Sequence, residues 1–222
     1  SDLELGDVDA YSAAGEGSLV EIAGKGVSAD KTLTQKLKIS ANSFTNEDLS
    51  KLNLDGGVTD DAEKCNKIIV DGNDVNFEGQ EFWKSFDVNG DNFKVGNIHS
   101  YIGNDVVSVA GNNAELGAVE LNGTSSKLNV SGNGAVLGKV SGSGASSVNI
   151  SGNNVIVGDI TTTATSDSSG DEIIISGNNT TTGALDTGSL KIDGNGTLHA
   201  GDVSKVDTII VQSTAIGNVF TA

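Results

Sequence analysis

VNISGNN, at residues 148–154, is the stretch on which the fold turns. Val148 and Ile150 alternate with Asn149, a period of two that puts the apolar pair on one side of a strand. Gly152, Asn153 and Asn154 then break the strand into a tight turn, because glycine and asparagine both tolerate left-handed backbone. Close copies stand on either side: VSVAGNN at 107–113, LNVSGNG at 128–134, IIISGNN at 173–179 and LKIDGNG at 190–196. IIVDGND at 68–74 and FDVNGDN at 86–92 are earlier versions, and IIVQSTA at 209–215 is a degenerate last one.

A second element follows at nearly constant distance, as in Leu116-Gly117-Ala118-Val119, Leu137-Gly138-Lys139-Val140 and Val157-Gly158-Asp159-Ile160. Its glycine lies six residues after the first in Gly111 to Gly117, Gly132 to Gly138 and Gly152 to Gly158. The leading glycines Gly72, Gly90, Gly111, Gly132, Gly152, Gly177 and Gly194 recur at intervals of 18, 21, 21, 20, 25 and 17 residues. A period near 20, with two short alternating strands and a variable third segment, is the pattern of a stacked repeat. The reading is an all-β parallel β-solenoid of about ten rungs, with Val109, Val130, Ile150, Ile175, Ile192 and Val211 in one internal column. Leucine-rich repeats share the period but need a regular leucine framework and a helical segment, and neither is present here. Antiparallel barrels would show hairpin spacing without a two-part rung. The leading glycines are expected in left-handed or strained backbone. Asn112, Asn133, Asn153, Asn178 and Asn195 are expected to hydrogen-bond from rung to rung as a ladder.

Residues 67–222 carry the regular repeats, and residues 1–66 a less regular version of them. Thr45-Asn46-Glu47-Asp48 resembles a helix start and residues 59–67 a helical turn, so short helical decorations are expected in this N-terminal third. Glu4-Leu5-Gly6-Asp7-Val8 already matches the second element, as does Ile216-Gly217-Asn218-Val219 near the other end.

Composition narrows the function. The 222 residues include 30 glycines, no proline, no methionine, and 13 basic residues that are all lysine. The net charge of −17 has the wrong sign for a nucleic-acid backbone or an anionic membrane surface. No apolar run approaches the roughly 18 residues of a membrane-spanning helix, so membrane insertion is not expected. A lone Cys65 excludes an internal disulfide framework and a cysteine-based zinc site. A start at Ser1 without methionine is expected of a processed, exported chain.

No nucleophile motif accompanies His99 or His199, which stand five rungs apart, and no arginine is available for proton abstraction beside an acidic sugar. The chain is therefore expected not to be an enzyme and to need no cofactor, calcium excepted. Asp71, Asp74, Asp87 and Asp91 are the candidate calcium ligands, since acid and amide side chains alternate across residues 87–91. Phe82 and Trp83 lie in an aromatic-rich segment and are the candidate glycan or partner surface. Asn122-Gly123-Thr124, Asn178-Asn179-Thr180 and Asn195-Gly196-Thr197 match glycosylation acceptors.

The Ser-Gly-Asn rungs over residues 67–222, with little cysteine and no proline, resemble secreted bacterial β-helix proteins, autotransporter passengers and large adhesins in particular. That resemblance implies export and a role at the cell surface. Open solenoid ends expose strand edges and an apolar core, so Leu3, Leu5, Val8, Val219 and Phe220 are the candidate contacts with another subunit. The expected function is an extracellular structural protomer that stacks head-to-tail into a fibre or layer. Two alternatives are an adhesin or passenger fragment that binds host or matrix glycans, and, less well supported, a polysaccharide-active enzyme.

Overall fold

The computed structural model describes residues 3–5, 8–9, 19–25, 27–29, 32–33, 36–40, 42–43, 45–46, 67–77, 80–82, 85–100, 103–162, 171–194, 198–204, 206–213 and 220–221. These residues form a parallel β-solenoid, and no helix occurs among them. Three long sheets make its faces, with ten, eleven and seven strands, and a two-stranded sheet lies near the N-terminus.

The first element of the repeat forms the first face. In Ser147–Ile150 the second and fourth residues are buried and the other two are not, and Ser85–Val88, Val106–Val109, Lys127–Val130 and Glu172–Ile175 do the same. Each strand pairs in parallel with its equivalent one turn away, placing Val109, Val130, Ile150, Ile175, Ile192 and Val211 opposite one another in succession. Successive strands satisfy each other's backbone groups while their inward side chains meet across the lumen. Each fully buried aliphatic contributes roughly 1.5–3 kcal/mol, so apolar burial along the column far outweighs the exposed ion pairs.

The second element supplies the second face through two-residue strands such as Glu115–Leu116, Val136–Leu137 and Ile156–Val157. The third face, from Gln80–Phe82 to Val203–Ser204, has seven strands among the described residues, so the complete three-faced rungs described are fewer than the ten expected. Its strands are short and its inward positions mixed: Val119 and Leu121 are buried, but so are Ser100, Thr162 and Thr187. Phe86 and Phe93 fill one stretch of the lumen, with ring centroids 5.8 Å apart.

The leading glycines are there for a different reason from the one expected. None of Gly90, Gly111, Gly132, Gly152 or Gly177 has positive φ. A Cβ on Gly132 would lie 1.9 Å from the carbonyl oxygen of Gly111, and the other four are equally close to the glycine one rung earlier. Close approach of stacked backbones selects glycine here. Left-handed backbone falls two residues later, at Asp74, Asn92, Asn113, Gly134, Asn154 and Asn179.

The N-terminal strands join the same sheets as the regular repeats. Leu19–Ile22 pairs with Lys36–Ile39, which pairs with Lys67–Val70, and all three are parallel. Thr45–Asn46 is a strand of the second face, paired with Ser28–Ala29 and Asn76–Phe77, so a helix does not begin at Thr45. The rest of that proposed helix, and residues 59–66 of the second, lie outside the described residues. Among the described residues no helix is long and apolar enough to cross a membrane.

Candidate functional site: corner ladder and open end

The corner after the first face is a hydrogen-bonded ladder. Asn73 N–H donates to Asn42 Oδ1 at 2.9 Å, and Asp91 N–H donates to Asn73 Oδ1 at 2.8 Å. Asn112 donates to Asp91 Oδ1 through its backbone N–H at 2.7 Å and its amide at 3.0 Å. Asn133 repeats this on Asn112, and Asn153 on Asn133, at 2.9–3.1 Å. Asn178 N–H continues it to Asn153 Oδ1 at 2.9 Å, while Asn195 lies outside the described residues. One residue on, the left-handed Asn113 N–H donates in the other direction, to Asn133 O at 2.8 Å. A second file of amides, Asn113 to Asn92 and Asn179 to Asn154, flanks the first and is interrupted at Gly134. Asparagine suits this corner because its side chain both accepts and donates along the stack axis.

The four candidate calcium ligands are distributed through such contacts. Asp71 accepts from Asn89 Nδ2 at 2.8 Å and Asp74 from Asn92 Nδ2 at 2.9 Å. Asp87 pairs with Lys67 at 3.1 Å, and Asp91 serves the ladder. Among the described residues no group of three or more His, Cys, Asp or Glu side chains is placed to hold a metal ion.

His99 and His199 occupy different faces. His99 Nδ1 lies 2.9 Å from Glu120 Oε2, and its Nε2 is 2.9 Å from Asn122 Nδ2. With the Asn122 amide donating to Nε2, the proton of the neutral ring sits on Nδ1 and is given to Glu120. His199 belongs to the second face, in register with Thr181. Of the three glycosylation matches, Asn122 and Thr124 are exposed, Thr180 of the second is buried, and the third lies outside the described residues. Phe82 ends the third-face strand Gln80–Phe82. Trp83 lies outside the described residues.

Of the candidate subunit contacts, Leu3, Leu5 and Phe220 fall at the two ends of one sheet. Leu3 and Leu5 lie in Leu3–Leu5, the first strand of the eleven-stranded second face, and Phe220 lies in Phe220–Thr221, its last. Val8 lies in Val8–Asp9, which pairs with Thr32–Leu33. Val219 is outside the described residues. The structure adds a feature that sequence reasoning missed. Thr208–Ser213 is the outermost strand of the first face, and its inward positions Ile209 and Val211 are 50% and 54% exposed. At the other edge of the same sheet, Ile22 in Leu19–Ile22 is only 5% exposed.

Also unanticipated is a polar file at the third corner, where Asp105, Ser126, Ser146 and Asp171 are buried just before successive first-face strands. Ser146 N–H donates to Asp171 Oδ1 at 3.0 Å. The recurrence of a polar residue directly before each strand was the available signal. Val136 and Ile156 stand exposed on adjacent turns of the second face. No family model, curated protein or solved structure matches the chain.

Proposed function

We propose that this chain is an extracellular structural protein, a solenoid protomer that stacks head-to-tail into a surface fibre or layer. The observation that carries the reading is the half-exposure of Ile209 and Val211, in columns whose other regular-repeat members are buried. An apolar lumen left open to water at one end is a surface that association removes, at roughly 25 cal/mol for each Å² covered. Beside it the second face ends in Phe220–Thr221, whose outer edge offers backbone groups for strand pairing, so one contact supplies both hydrogen bonds and burial. A net charge of −17 opposes broad side-by-side aggregation and leaves the ends as the favoured contact. Export is supported by the single cysteine and by the resemblance to secreted β-helix proteins. In this reading the partner is another copy, and the chain performs no catalysis.

The test is sedimentation together with electron microscopy of the wild type and of a Val211→Asp variant. Elongated particles that grow with protein concentration are expected for the wild type, and folded monomers for the variant. A wild type that stays monomeric at every concentration would remove this reading in favour of an adhesin, with Phe82 and Trp83 then the residues to test against glycans.

A further inference from the structure

We infer that the partner enters through its Leu3–Leu5 strand, which adds in parallel to Phe220–Thr221 with Glu4 opposite Thr221. This rests on the head-to-tail stacking proposed above and names the segment and register that carry it. The second face runs from end to end without a slip. Glu4 opposes Ser28, Lys94 opposes Glu115, His199 opposes Thr221, and the intervening pairs connect these in one unbroken column. A strand added beyond Phe220–Thr221 in the same register therefore meets it as Phe220–Thr221 meets Leu198–His199. Leu3 then stands over Phe220, one residue earlier in each strand.

The two ends differ in a way that makes them complementary. At the N-terminal end, Leu3–Leu5 and Val8–Asp9 lie one strand beyond the level of Leu19–Ile22, and the inward Ile22 is 5% exposed. At the C-terminal end no described strand lies beyond the level of Thr208–Ser213 and Phe220–Thr221, and Ile209 and Val211 are half exposed. The partial rung of a second copy then lies one level beyond Ile209 and Val211, and meets the C-terminal end through the edge of Leu3–Leu5 that is not paired with Val27–Ala29. A tail-to-tail pair would instead join two copies of one edge in antiparallel fashion. Every pair in the three long sheets is parallel, and the glycine columns are spaced for that stacking.

Paired Cα atoms on adjacent strands are about 4.8 Å apart, inside the window that a disulfide spans. A Cys65→Ser background removes the native thiol. Glu4→Cys and Thr221→Cys are then introduced together and separately, and oxidised samples are run under denaturing, non-reducing conditions beside sedimentation of the same samples. The double variant is expected to give a ladder of covalent multimers. A mixture of the two single variants is expected to give a covalent dimer, and each single variant alone only monomer. Assemblies that sediment but yield no cross-link in the mixture overturn this register while leaving stacking intact. Self-linked Thr221→Cys overturns the direction. Monomers throughout remove the stacking reading itself, and this inference with it.

Discussion

Val130 and Val211 are the same residue type in the same internal column, yet one is 1% exposed and the other 54%. Neither the local sequence nor the strand conformation accounts for the difference. Val130 has strands paired on both sides, whereas Val211 lies in the outermost strand of its sheet. In a solenoid a residue is buried by the turns next to it, so the same side chain is enclosed in the middle of the stack and half exposed in the outermost described strand.

The largest expected effect tests that contrast directly. Ile150→Asp places a charge where no water reaches and should cost at least about 4 kcal/mol. Val211→Asp, in the same column, should cost the isolated protomer less than about 1 kcal/mol, because its side chain remains hydrated. Urea midpoints of the two variants at a concentration where the protein is monomeric are the measurement. Equal shifts would mean that the terminal strand is as enclosed as the middle and that no end is open.

Next come the glycines, which compare close approach with open space. Gly132→Ala would drive a methyl group to 1.9 Å from the Gly111 carbonyl oxygen, and a displacement of stacked backbone costs about 3 kcal/mol. Gly188 faces Asp171 atoms at 3.5 Å and beyond, an ordinary contact, so Gly188→Ala should fall within about 0.5 kcal/mol of wild type. A tolerated Gly132→Ala would show that the turns are spaced more widely than the ladder distances require.

These glycines also mark how far the sequence could be read. The Ile150 column was legible because period-two alternation recurs beside a fixed glycine, and the ladder was legible because asparagine follows that glycine in rung after rung. The reason for the glycine was not legible, since close backbone approach and positive φ select the same residue. The third face was legible only where it begins, because Val119, Val140 and Ile160 close the second element; two residues on, Ser100, Thr162 and Thr187 stand where an apolar pattern would have shown the rest. Asp87 and Asp91 read as a ligand pair because alternating acids are common to calcium loops and to stacked corners. Only the partners, Lys67 and Asn112, separate the two. An open end was expected, but its exposure at Ile209 and Val211 had no local signal, because IIVQSTA keeps the inward pattern of a buried strand.

The ladder itself should give intermediate effects. Asn133→Ala keeps the backbone N–H bond to Asn112 but removes the amide bond that Asn133 gives to Asn112 and the two bonds it accepts from Asn153, for a cost of about 1–2 kcal/mol. Gly134→Asn is its counterpart and runs the other way. Gly134 is left-handed at φ +69°, where the equivalent positions carry Asn113 and Asn154, and its nearest neighbour is the end of the Asn113 side chain. Asparagine there should rejoin the interrupted second file and restrict the unfolded chain, for a gain of about 0.5 kcal/mol. Thermal unfolding of both variants checks the pair, and a loss in Gly134→Asn as large as that in Asn133→Ala would mean that the file cannot continue through this turn.

The smallest expected effect concerns calcium. Asp71, Asp74, Asp87 and Asp91 each accept a bond from a different partner, in contacts that bind one rung to the next. A calcium ion takes six to eight oxygens at about 2.3–2.6 Å, so these carboxylates would have to leave their partners and converge. Any ion that bound the folded chain preferentially would raise its melting temperature, by about 2.7 kcal/mol of added stability at a hundredfold excess over its dissociation constant. With the carboxylates engaged in stacking, millimolar calcium and excess chelator should give the same melting temperature. A rise with calcium that disappears in Asp87→Asn and Asp91→Asn would show that the ion outcompetes Lys67 and Asn112, and would turn this corner from a stacking contact into a metal site.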